Sequence, residues 1–156
     1  HLMWQRPGHF DPKETTSTVG GRAFTIRSEI RVTGIESAVN DVRERQEVFL
    51  WVSTVIGPSP ALRVAPREQN RLNDDNAGAV AVGIPRFDER FLVFCDDLPF
   101  VRKITPALTT APSESTAGLS LGGGRIVVHR RGAGTETVAA NYLNTLIPLL
   151  PPELRR

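Results

Sequence analysis

The sequence predicts an α+β domain, a mainly antiparallel sheet with helices packed on one face. Three observations carry that reading. One segment alternates strictly, with Phe24, Ile26, Ser28, Ile30 and Val32 on one side and Thr25, Arg27, Glu29, Arg31 and Thr33 on the other. This is the period of a strand that is wet on one face, as in an antiparallel sheet covered on one side. Strand-like runs come in succession and helical periods appear at only a few places, unlike the regular alternation of a doubly wound fold. The chain has 156 residues, 40% of them hydrophobic, which suits a single core. Five to seven strands are expected, with two main helices near 97–110 and 135–147.

Residues 1–16 contain Pro7, Gly8 and Pro12 and show no period, so they read as an extended lead-in to a single domain over 17–156. After the alternating strand, residues 47–56 are rich in Val, Phe, Trp and Ile on both faces and stop at Gly57-Pro58, which predicts a buried central strand. A short strand follows at 61–64. Pro66 then suits the first turn of a brief helix running to Leu72, and 73–78 (Asn-Asp-Asp-Asn-Ala-Gly) makes a turn. Strands are expected at 79–82 and 90–95. Asp96 or Asp97 should cap a helix with Pro99 in its first turn, and Pro106 should kink that helix or end its regular hydrogen bonding. Residues 118–131 read as a hairpin turning through Gly122-Gly123-Gly124. The last helix is capped by Thr135 and closed by Pro148, with Val138, Tyr142 and Leu146 beside Ala139, Leu143 and Ile147.

Charge and composition argue against several function classes. The balance is 19 Lys and Arg to 17 Asp and Glu, and the basic residues are scattered, with no stripe or aromatic platform for nucleic acid. No run approaches the ~20 apolar residues needed to span a bilayer. His1-Leu2-Met3 reads like a cloning remnant before a truncation point, so a membrane anchor upstream is an expectation. Cys95 has no possible disulfide partner and lies in an apolar run beside two acids, which predicts a buried, inert thiol.

Gly118-Leu119-Ser120-Leu121-Gly122 matches the G-x-S-x-G nucleophile elbow, and a serine hydrolase using Ser120 is one reading. The context opposes it, because glycines and a strand follow where the motif needs a helix. Only His129 lies downstream as a base, in the adjoining strand. The glycine run with Arg125 could cradle a phosphate, but no helix opens behind it, so a hairpin turn is favoured. Asp74-Asp75 and Asp96-Asp97 lack calcium-loop spacing and serve a turn and a cap more simply. His1, His9 and His129 lack zinc spacing. No catalytic residue, metal or cofactor is therefore expected.

Binding is left as the leading role. Phe49 and Trp51, with Trp4, are candidates to line an apolar groove, against the simpler alternative that they are core. After the last helix, 148–152 (Pro-Leu-Leu-Pro-Pro) form an apolar run that helical periodicity does not account for, so Leu149 and Leu150 are candidate partner contacts.

Phe87-Asp88-Glu89-Arg90-Phe91-Leu92-Val93, then Asp96-Asp97 and 98–108 with Thr105-Pro106, resemble a signature of actinobacterial membrane-anchored proteins of the DUF3137 type. Gly20-Gly21-Arg22, Pro60-Ala61-Leu62-Arg63-Val64 and Pro151-Pro152-Glu153-Leu154 also fit, so the resemblance spans most of the chain. It implies an inner-membrane protein with one N-terminal anchor outside this sequence and a mixed α/β domain on the cytoplasmic side. It further implies an accessory role in cell-envelope biogenesis, binding a membrane transporter that exports a mycolic-acid lipid. A lipid-binding module with its own apolar cleft is the alternative within that setting. Cys95-Asp96-Asp97 and the triple glycine have no counterpart in a transport role.

Overall fold

The computed structural model describes residues 13–67, 78–110 and 118–155, and the structural statements below refer to these. The elements in chain order are β1 (Lys13–Val19), β2 (Arg22–Ala38), β3 (Asp41–Val55), β4 (Leu62–Pro66), β5 (Ala79–Val80), α1 (Pro85–Asp88), β6 (Phe91–Phe94), α2 (Leu98–Thr110), β7 (Gly118–Gly122), β8 (Arg125–Arg131) and α3 (Glu136–Leu146). Two 3-10 turns, Ile147–Leu149 and Pro152–Leu154, follow. The eight strands form one sheet in the order β1-β2-β3-β8-β7-β4-β6-β5. Every pairing is antiparallel. The expected fold class is the one observed. The strand number exceeds expectation, partly because the Thr/Ser-rich end of the lead-in pairs with β2 as β1.

One row of side chains shows why the sheet holds. Ile26, Val52, Val128, Leu119, Val64, Val93 and Val80 are in register across seven strands. Directly paired residues project to the same face, so this row is a continuous β-branched and aliphatic surface. Phe24, Leu62, Leu121 and Ile126 extend it, and Phe100, Val101 and Ile104 of α2 and Ala139, Ala140, Leu143 and Leu146 of α3 close over it as one buried cluster. The small alanines let α3 lie close to the sheet.

Local chemistry sets the element ends. The β7–β8 hairpin turns through Gly123 and Gly124 at φ 60° and 75°, the left-handed pair that a two-residue turn requires. Asp97 caps α2, its Oδ1 accepting a 3.0 Å hydrogen bond from the Phe100 amide. Thr135 precedes α3 but makes no side-chain cap; its hydroxyl donates to the Gly132 carbonyl at 3.0 Å. The α2 helix runs through Pro106 to Thr110. The carbonyl that Pro106 leaves unpaired belongs to Arg102, on the exposed side where water can take its place.

Several boundaries need correction. Pro66, expected in the first turn of a helix, is the last residue of strand β4, opposite Phe91, where a proline with no ladder donor to supply fits a strand end. Residues 68–72 and the turn at 73–77 lie outside the described residues. Of the strand expected over 79–82, only Ala79–Val80 pairs, because the Val82 and Gly83 amides donate instead to the Asp88 carboxylate at 3.0 and 3.1 Å. Val138 is 44% exposed and the α3 core face is carried by Ala139, Ala140, Leu143 and Leu146.

Candidate functional site

On the sheet face opposite the helices, three strands present a cluster of rings and guanidinium groups. Arg27, Trp51 and His129 lie in register across β2, β3 and β8, and Glu29, Phe49 and Arg131 form the next row. The His129 ring stacks on Trp51 with centroids 5.0 Å apart and planes 8° from parallel, and on Phe49 at 5.9 Å. Arg31 lies 4.8 Å from the Phe49 ring centre and 5.5 Å from that of Trp51; Arg131 covers Phe49 at 5.2 Å and Arg27 covers Trp51 at 5.5 Å. Each is within the range of a cation–π contact.

The charges are arranged around this stack. Arg31 donates from Nε to buried Glu29 at 3.0 Å, and Arg131 approaches Glu47 at 3.7 Å. Arg125, in register with Val55, reaches back to donate to the Ser53 hydroxyl at 2.9 Å. Burial, then the nearby Arg31 and Arg131, lowers the His129 pKa below its ordinary value. His129 Nε2 is enclosed with no hydrogen-bond partner among the described residues. With Nε2 enclosed, the imidazole packs as the middle ring of a stack with Trp51 and Phe49.

The sequence-predicted residues distribute unevenly over this geometry. Phe49 and Trp51 are brought together, but they form a stacked patch with His129 and do not line an apolar groove. Phe49 is buried and Trp51 half-buried. Trp4 lies outside the described residues. Leu149 and Leu150 are separated by the 3-10 turn: Leu149 is 44% exposed, whereas Leu150 is fully buried in the core. Leu150 as a partner contact is therefore corrected, because the tail folds back. Gly57 N donates to the Leu154 carbonyl at 3.0 Å, Arg155 Nε to the Leu150 carbonyl at 2.7 Å, and Lys103 pairs with Glu153.

Ser120 sits mid-strand in β7, in register with Val127, so the strained strand-to-helix turn of a nucleophile elbow is not formed there. Cys95 is buried, its sulfur 3.6 Å from the Asp97 carbonyl. Two surface clefts accompany the patch. One of about 820 Å³ lies between residues 20–23 and the Asn141, Asn144, Thr145 and Pro148 side of the last helix, with a mixed polar and apolar lining. The other, about 390 Å³, lies between 80–83 and the first turns of α2.

Sequence reading missed the role of His129 and of the arginines. Alternation placed Arg27, Glu29 and Arg31 on one side of a strand, but nothing along the chain shows that residue 129 joins them. Among the described residues no helix is long and apolar enough to cross a membrane. No family model, curated protein or solved structure matches the chain.

Proposed function

We propose that this chain is a non-enzymatic accessory domain that binds a partner protein through the sheet face bearing Trp51, His129 and Arg27. The observation that carries this reading is the stack of Phe49, His129 and Trp51 under three arginines. Tryptophan and arginine are the residues most enriched where binding energy concentrates, and rigid stacked rings lose little conformational freedom on binding. The resemblance noted in the sequence adds the setting: a membrane-tethered module serving export of trehalose monomycolate, similar to the mycobacterial trehalose monomycolate transport factor A.

A lipid-carrier role fits less well, since the helix-covered face of the sheet is filled by side chains and the cleft beside Gly20 is open and mixed in polarity. A hydrolase fits least, with Ser120 in mid-strand.

The test is co-purification of the trehalose monomycolate exporter from detergent-solubilised membranes. Trp51→Ala and Arg27→Ala should each reduce recovery, with Trp51→Ala weakening binding about thirtyfold or more, as for a residue contributing ~2 kcal/mol. Wild-type recovery with both variants would refute the use of this face. Lipid retained stoichiometrically in native mass spectrometry would favour the carrier, and esterase activity lost on Ser120→Ala would favour the hydrolase.

A further inference from the structure

The β2–β3 hairpin outruns the rest of the sheet. β1 pairs with β2 as far as Ser28 and β8 with β3 as far as Phe49, so among the described residues 30–38 and 41–48 form a two-stranded arm. At ~3.3 Å per residue it is roughly 25–30 Å long. A register shift between Val32 and Gly34 keeps its two faces distinct, and Asn40 turns the tip at φ 64°.

One face of the arm is charged, and its acids are each paired with an arginine. Arg43 pairs with Asp41 at 2.8 Å, Arg45 with Glu36 at 3.1 Å and Arg131 with Glu47 at 3.7 Å. The other face brings together Ile30 with Val48, Val32 with Gln46, Ile35 with Glu44 and Ser37 with Val42. It is mainly apolar and uncovered toward the tip: Ile35 and Val42 are each 70% exposed, and Val39 at the tip is 92% exposed. Four of the eight large apolar side chains left exposed among the described residues belong to the arm, Ile30 being the fourth. A lone two-stranded ribbon is marginal in water, so an apolar face at this site gains from being covered.

The charge left over says what covers it. Of the four acids at 36, 41, 44 and 47, three have an arginine partner and Glu44, on the apolar face, has none. We propose that the arm docks an amphipathic segment of a partner protein that sets apolar side chains on Ile35 and Val42 and a lysine or arginine against Glu44. Stacking this stretch of the arm on its own counterpart offers Glu44 no cation from residues 30–48 of that face, and an anionic lipid surface would repel the same carboxylate. This surface is separate from the Trp51 face, and the inference stands whether or not that face binds.

Two synthetic amphipathic helical peptides serve as probes, one of leucine and lysine and the other of leucine and glutamate. Fluorescence anisotropy gives affinity and amide NMR gives the site. The leucine–lysine peptide should bind the whole chain with shifts confined to 30–48. Ile35→Thr with Val42→Thr should weaken it about tenfold or more. Glu44→Lys should reverse the preference toward the glutamate peptide. Threonine suits a strand and these positions are exposed, so an unchanged melting temperature verifies folding in each variant. Shifts elsewhere, affinities unmoved by the substitutions, arm-dependent dimerisation in sedimentation, or arm-dependent binding to phosphatidylglycerol vesicles would each overturn the proposal.

Discussion

His129 ties stability to pH through a single ring. Its folded-state pKa lies below the ordinary histidine value of 6.5, first because it is buried and then because Arg31 and Arg131 repel a proton. The unfolded chain therefore takes up that proton more readily, and the ring's contribution is fully present above the ordinary value and lost as pH falls from there through the depressed one. Thermal melts between about pH 7 and pH 5 should show a falling midpoint, and His129→Gln should remove that component of the slope. Gly57 is constrained by space. A Cβ there would lie 2.0 Å from the Glu153 carbonyl oxygen, which is backbone and cannot swing away. Gly57→Ala should cost about 1–3 kcal/mol in denaturant unfolding by prying the tail from the core. The neighbouring leucines of that tail should separate clearly: Leu150→Ala should cost about 2–5 kcal/mol, and Leu149→Ala should stay within roughly 0.5 kcal/mol.

Among the elements, α2 was the most readable, because its signals are local. An aspartate before Leu98-Pro99 supplies the cap, and the apolar period of Val101, Ile104 and Leu108 supplies the buried face. Asp97→Ala should lower stability by about 1 kcal/mol with the helix retained, measurable by urea unfolding followed by circular dichroism. The β7–β8 hairpin was readable for the same reason, two glycines at positive φ between two alternating strands. The β2–β3 hairpin was legible only in part. Alternation marked β2 from Phe24 to Val32, but the charged stretch of β3 at 41–47 has no buried face to impose a pattern, so its pairing with β2 was not anticipated. Leu150 was misread because a 3-10 turn interrupts the helical period, turning it inward while Leu149 faces out.

For the molecule as a whole, the core and the arm are separable. No residue from 32 to 47 belongs to the buried cluster. Replacing 33–45 with Asn-Gly, which joins the paired Val32 and Gln46 by a two-residue turn, should leave the melting temperature within a few degrees. A collapse of the cooperative transition would show that the arm supports the fold. The fold class, the two main helices and the glycine hairpin could be read along the chain, because periodicity, caps and turns act between residues a few positions apart. The Trp51 patch and the arm's apolar stripe could not. Each depends on strands far apart in sequence lying in a particular order and register, and a shift of one residue would move every side chain in them to the opposite face.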